Sequence, residues 1–232
     1  MNNFFAMPTD EWGDDAVKLT STGIFMVIFA IIALIAAALI IRRLQSKENS
    51  KKTSVILSTK QLVFSAAAIA LAIVTSMIKL FEMPMGGSVT LLSMLFVVLI
   101  GYWYGPYAGI MTGMAYGLVQ FILEPIFYTL PQLLVDYPLA FGALGLAGFF
   151  NKQKHGLFIG YIIGVIGRFI FAFLSGILFF ASFAPETMGP IYYSFAYNGS
   201  YLLAEAVITL VILSLPPVNK AMKAIKQLAL QA

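Results

Sequence analysis

The chain has 232 residues, 60% of them hydrophobic and only 10% charged, with a net charge of +4. A soluble domain carries about 25% charged residues, so this composition, with a mean hydropathy of +0.91, reads as an integral membrane protein. The absence of cysteine excludes disulfide and thiolate chemistry, and the basic residues are segregated along the chain rather than gathered as a nucleic-acid patch.

A membrane-crossing helix needs about 20 mostly apolar residues. Seven segments qualify, at roughly 22–43, 60–80, 88–103, 105–123, 130–150, 157–183 and 190–215, the third being short. Helices are required because backbone polar groups in lipid must be satisfied within the segment, and the alternating pattern of an outer-membrane strand is absent. The first segment begins too late and runs too long for a secretory signal, and "RRLQSKENSKK" follows it as a stop-transfer sequence.

The charges orient these spans. Arg42, Arg43, Lys47, Lys51, Lys52 and Lys60 lie between the first two, Lys152 and Lys154 between the fifth and sixth, and Lys220, Lys223 and Lys226 after the last. Seven spans place all three groups on one side, and the positive-inside rule makes that side cytoplasmic, with the N-terminus out and the C-terminus in. The acids Asp10, Glu11, Asp14, Asp15, Glu82, Glu124, Asp136 and Glu186 fall at or near the outer side. The expected organisation is an extracellular segment (1–21), an additional transmembrane anchor helix (22–43), a polar cytoplasmic linker (44–56) and a six-helix membrane core (57–232), an all-α membrane protein throughout.

Small residues set the expected packing. In the fourth span Gly109, Gly113 and Gly117 recur every four residues, in the fifth Gly142, Gly145 and Gly148 every three, and the sixth has Gly160 and Gly164. Such spacing lets helices approach closely in lipid. The second span places Ala66 and Ala70 on one face and Ala68 and Ala72 beside it, a strip suited either to internal packing or to docking another membrane protein.

Polar groups concentrate in the outer connections. "MPMGGS" after the second span is a breaker and flexible turn, either a lid or a plain connection. In "EPIFYTLPQLLVDYP", Gln132 and Asp136 share a helical face, with Tyr128 and Tyr137 close by. The last span carries Tyr193, Tyr197 and Tyr201 as an aromatic stripe, with Asn198 and Glu205 on one face. A charged residue in a span costs about 2.5–3.5 kcal/mol and therefore faces protein, water or a ligand. Asp136 is accordingly an interfacial carboxylate, a partner for Arg168, or the anion that meets a cationic or hydrogen-bonding ligand; aromatic neighbours favour the ligand reading, since a desolvated cation over a ring gains about 2 kcal/mol.

Several chemistries are excluded. The only histidine, His155, lies in a cytoplasmic loop, so no membrane-embedded histidine cluster or serine–histidine dyad exists, and Ser175-Gly176 is packing. There is no phosphate-binding Walker loop, and the last span lacks the lysine that a retinal protein needs.

The stretches "EPIFYTLPQLLVDYPLAFGALGLAG", "MPMGGSVTLLSM" and "YSFAYNGSYLLAE" resemble, in order and position, the thiamine-specific S components of energy-coupling factor (ECF) transporters, the ThiT/YuaJ type, over about residues 57–220. The resemblance implies a six-helix bundle that captures a vitamin at the outer side and performs no chemistry. It also implies a transmembrane coupling protein and two cytoplasmic ATPases as partners, and no cofactor beyond the vitamin ligand. On that likeness Asp136, Tyr137, Gln132, Tyr193 and Asn198 match the ligand pocket, Tyr128 and Arg168 adjoin it, and Ala66, Ala68, Ala70 and Ala72 become the docking surface. Where the family has a histidine and a tryptophan, this chain has Ala172 and Phe180, and Leu91 or its neighbours stand where an acid is expected. The expectation is a substrate-binding subunit for thiamine or a related pyrimidine compound in the cell membrane; the alternatives are a stand-alone carrier or channel and a membrane assembly protein without a ligand.

Overall fold

The computed structural model describes residues 6–8, 17–19, 21, 57–185 and 187–231. The expected anchor at 22–43 and linker at 44–56 lie outside them. Near the N-terminus β1 (Ala6–Pro8) and β2 (Val17–Leu19) pair antiparallel. From residue 57 onward the protein is a helical bundle with one β-hairpin, and it is a multi-pass membrane protein.

Helix α1 (Thr59–Ser76) opens on a capping box: the Ser58 hydroxyl accepts from the Gln61 amide and the Gln61 side chain accepts from Ser58 N–H. It ends four residues earlier than hydropathy suggests, because Lys79–Glu82 forms β3, which pairs antiparallel with β4 (Ser88–Thr90). The alanines divide as helix geometry requires, since residues two apart lie about 200° apart around the axis. Ser65, Ala68 and Ala72 are buried, whereas Ala66 and Ala70 face outward with Leu62, Val63 and Val74. Ala68 and Ala72 are core, so of the four alanines expected to form an outward strip only Ala66 and Ala70 lie on the outward face.

Helix α2 (Ser93–Tyr104) is only 12 residues long, far short of a bilayer at about 1.5 Å per residue, and is buried along almost its whole length. It sits at the centre, packed by α1, α3 (Pro106–Leu123), α4 (Leu130–Phe150) and α5 (Gly156–Phe179). Leu92, immediately before α2, has φ +67°, a left-handed conformation that costs a non-glycine residue about 1–2 kcal/mol.

Helix α4 changes winding along its length. Thr129 caps its start by accepting from the Gln132 amide, and Val135–Leu139 is a π-helical turn containing Pro138, which supplies no N–H to the ladder. After a short α turn, Ala143–Phe150 is 3-10 helix, whose three residues per turn put Gly145 and Gly148 on one line. A Cβ on Gly145 would strike the Ile110 backbone, and one on Gly148 the Pro106 nitrogen. From the other side, a Cβ on Gly113 or Gly117 would strike the carbonyls of Phe141 and Tyr137. The α3–α4 seam is thus backbone against backbone, as the glycine spacings predict.

Helix α6 (Pro190–Ser214) packs on α5, and α7 (Pro216–Leu230) turns back across the end of the bundle. Lys60, Lys152, Lys154, Lys220, Lys223 and Lys226 all belong to the end closed by α7, the side assigned to the cytoplasm by charge. The hairpin lies at the opposite, outer end.

Candidate functional site

A cavity of about 460 Å³ opens beneath the hairpin, bounded by α2, α3, α4, α5 and α6. That is within the roughly 300–1,000 Å³ typical of small-molecule sites. Four carboxylates line it (Glu82, Glu124, Asp136, Glu205) against two cations (Lys79, Arg168), so its charge balance is negative.

The π turn in α4 delivers two neighbouring residues to this space. Asp136 and Tyr137 both line the cavity, although consecutive residues of a regular helix diverge by about 100°. Tyr137 is anchored by its hydroxyl, which donates to Glu124 O at 2.9 Å and accepts from Ile126 N–H at 3.0 Å. Gln132 does not line the cavity. Its side chain is fully buried and committed, accepting from Tyr128 N–H at 3.1 Å and donating to Ile126 O at 3.1 Å and Asp136 Oδ2 at 2.6 Å. It folds the α3–α4 connection and orients the carboxylate. Tyr128 also stays outside the lining, with its ring edge-on to Phe180 at 5.3 Å between centroids.

Helix α6 supplies the opposite wall. Tyr193, Tyr197 and Tyr201 line the cavity in file, adjacent centroids 5.8 and 5.9 Å apart. Asn198 is buried, its amide donating to Ala172 O at 3.2 Å and Ser194 O at 3.0 Å and its Oδ1 accepting from the Tyr201 hydroxyl at 3.0 Å. The protein thus holds Asn198 in place before any ligand arrives. Arg168 and Ala172 line the α5 wall with Gly176 and Phe180.

Glu205 forms part of the floor, and the sequence reading noted it without assigning it to the site. It accepts from Thr90 N–H (3.2 Å), the Thr90 hydroxyl (2.7 Å), the Ser93 hydroxyl (3.0 Å) and Met94 N–H (3.3 Å). It thereby caps α2 from another helix, with its charge at the positive end of the α2 dipole. These bonds tie β4 and α2 together across the left-handed turn at Leu92. The signal was present, since a lone acid in an apolar span needs partners, but its donors lie more than a hundred residues away.

The hairpin is fastened over the opening. Gly87 N–H donates to the Tyr197 hydroxyl at 2.9 Å, and that hydroxyl donates to Pro84 O. Gly86 has φ +89° and packs on Ile126, a conformation and an approach that both favour glycine. Lys79 bridges Glu82 at 2.9 Å and Glu124 at 2.7 Å, and its hydrogen bonds to Glu124, then Glu82, raise its pKa above the usual lysine value. Among the described residues no cluster of three His, Cys, Asp or Glu side chains is placed to hold a metal.

Comparison with known proteins adds four findings. Residues 62–225 match the family model described as "Thiamine transporter protein (Thia_YuaJ)". The chain is 36% identical over 167 residues to "Thiamine transporter ThiT" of Bacillus subtilis (strain 168), covering 66% of this chain and 85% of that protein. It is 30% identical over 104 residues to a protein of the same name from Lacticaseibacillus paracasei, covering 39% and 49%. The solved structure of ThiT from Listeria monocytogenes has a TM-score of 0.60 at 24% identity, covering 73% of this chain and 96% of that one, a likeness of fold.

Proposed function

From the premise that the chain belongs to the thiamine transporter protein (Thia_YuaJ) family, we propose that it is the substrate-binding S component of an ECF-type vitamin importer, with thiamine as its ligand. Its role is transport, not catalysis. The observation that carries this reading is the cavity: set beneath the outer hairpin, net acidic, and walled by tyrosines.

Thiamine combines a permanently cationic thiazolium ring with a planar aminopyrimidine. Asp136 supplies the compensating charge in a region where lipid and protein screen little, so the attraction is stronger than in water. The three tyrosines offer faces for stacking and for cation–π contact. Tyr137, Tyr193, Asn198 and Arg168 complete the contacts, with Gln132 and Tyr128 setting the position of Asp136 and the adjoining wall. The chain needs no cofactor of its own; ATP is consumed by two cytoplasmic ATPase partners. The outward face of α1 around Ala66 and Ala70 is smooth and apolar, and serves as the docking surface for the transmembrane coupling protein.

Two measurements test the proposal. Native mass spectrometry of the purified protein is expected to show bound thiamine, or to show its uptake on addition; a protein that binds none removes the ligand assignment. In cells, uptake is expected to require a coupling module and to fall when Ala66 and Ala70 are both replaced by Leu, with thiamine binding by the purified variant retained. Uptake without any ATPase partner would instead identify a stand-alone carrier.

A further inference from the structure

Helix α7 has two faces. Val218, Met222, Ile225 and Ala229, at steps of four, three and four residues, pack on the core, so this face closes the bundle. Its last turn is tied down: Lys60, in the first turn of α1, donates to Leu228 O at 2.9 Å, and the Tyr104 hydroxyl donates to Ala229 O at 3.0 Å. At its start only Leu215 separates it from α6. Since α1 and α6 both reach the bilayer surface there, α7 lies along that surface for its 15 residues, about 22 Å, rather than projecting from it.

The other face carries Lys220, Lys223 and Lys226. Each three-residue step turns about 60° around the axis, so the lysines form a slanted ridge running from solvent down to the bundle. Lys220 and Lys223 are exposed; Lys226 is half-buried, donating to Asn151 O at 3.0 Å with its ammonium 3.8 Å from the Tyr102 ring centroid. Beside the ridge runs a shallow groove lined by Lys223, Lys226, Gln227, Leu230 and Gln231. Leu230 is 51% exposed, an apolar side chain one turn on from two ammonium groups. No carboxylate answers these charges. The acids Glu82, Glu124, Asp136 and Glu205 all line the outer cavity, and among the described residues Lys220 and Lys223 make no ion pair and no hydrogen bond.

We infer that this flank of α7 binds the anionic headgroup of an inner-leaflet phospholipid, with the phosphate at Lys223 and Lys226 and an acyl chain against Leu230. Charge and depth both select that occupant. A lysine held at headgroup level meets the negative cytoplasmic leaflet, which is worth about fivefold in affinity per lysine. Its stem can lie along apolar surface while its ammonium reaches the phosphate. A free phosphate would satisfy the lysines and leave Leu230 uncovered; a lipid covers both.

The test is native mass spectrometry of the purified full chain in neutral detergent, titrated with dioleoyl phosphatidylglycerol or dioleoyl phosphatidylcholine, whose acyl chains are identical. Native protein is expected to retain the anionic lipid at least about fivefold better. Lys220→Gln combined with Lys223→Gln is expected to bring the two lipids within about twofold of each other. Leu230→Gln, which leaves the charge unchanged, is expected to weaken the anionic lipid about threefold. Lys79→Gln, which removes a cation at the outer end, is expected to leave the preference intact. The substitutions on α7 are at exposed positions, so those variants are expected to keep the monodisperse peak of native protein in size exclusion. Equal retention of the two lipids by native protein would overturn the inference, and so would an unchanged preference in the double variant. Displacement of the lipid by millimolar inorganic phosphate would make the groove a soluble-anion site and overturn it as well. Loss of cellular uptake in the double variant, with no lipid preference in native protein, would assign the flank to a protein partner instead.

Discussion

The two ends of the bundle are built by the same helices and are opposite in kind. At the lysine-rich end the polar groups serve the protein itself. Lys60 donates to the carbonyls of Leu228 and Gln231, the Tyr104 hydroxyl to Ala229 O at 3.0 Å, and Lys226 to Asn151 O at 3.0 Å while stacking on Tyr102. Lys60 there meets the unpaired carbonyls at the C-terminus of α7, the partner its dipole favours, and Lys226 meets the carbonyl that follows α4. At the hairpin end a cavity remains, and Asp136 and Arg168 face it without each other. The deep cavity at the hairpin end is the one suited to receive a small molecule, as proposed above. Helix α4 carries the contrast within a single element: its 3-10 half is locked by glycines onto α3, and its π turn presents an acid and a tyrosine to the cavity.

Breaking the closed half is expected to have the largest effect. Gly145→Val pushes a side chain into the Ile110 backbone, at a cost expected to exceed about 3 kcal/mol, so the variant is expected to lose the monodisperse peak in detergent size exclusion. A well-folded variant would show that the α3–α4 seam yields more than the packing implies. Next is Glu205→Gln, which keeps the shape but removes the charge from four donors. With charge-assisted bonds worth about 1.5–3 kcal/mol each, a drop of several degrees in melting temperature is expected even without ligand. An unchanged melting curve would mean that the cap on α2 is not structural.

Much of this contrast is legible in the sequence, and the remainder fails for identifiable reasons. The long spans α1, α4, α5 and α6 are readable because lipid demands long apolar runs, whereas the short third segment is a 12-residue buried helix that does not reach across, and the three-residue glycine period matches the 3-10 winding. The hairpin was hidden because "KLFE" is apolar enough to extend a span, and its pairing with Ser88–Thr90 depends on contacts across the turn. Helix α7 registered only as a set of lysines after the last span. The family resemblance puts Asp136, Tyr137, Tyr193 and Asn198 in one pocket with Arg168 adjoining it, and all five line one cavity. Gln132 and Asp136 share a face as their spacing predicts, the side chains meeting at 2.6 Å, but Gln132 is committed to the α3–α4 connection and holds the acid instead of lining the cavity. Glu205 was seen as a deep charge, but its four donors come from a distant segment.

Smaller perturbations sharpen the account of the open end. Tyr197→Phe removes the acceptor for Gly87 N–H and the donor to Pro84 O, leaving the ring in place. At about 1 kcal/mol, the loss is expected to speed ligand dissociation roughly fivefold in stopped-flow displacement with no change in fold. Identical dissociation rates would mean that the hairpin does not govern exit. The Lys79 bridges are partly exposed, so Lys79→Gln is expected to change affinity by no more than about twofold. Because the folded-state pKa of Lys79 is raised, its contribution is complete below the ordinary lysine value and fades only as pH climbs through the raised one. Binding between about pH 6 and 9 should therefore show no loss traceable to this residue. A native-specific decline in that window, absent from Lys79→Gln, would contradict the assignment.

The central claim is that a half-buried carboxylate at the outer end of the bundle, Asp136, balances a cationic vitamin. Calorimetric titration of thiamine into native protein and into Asp136→Asn, which keeps the shape and the bond from Gln132, tests it most directly. The expected result is affinity at least about 100-fold weaker in the variant, the scale of an unpaired buried charge, with ligand-free melting intact. Equal affinities in the two proteins would contradict it.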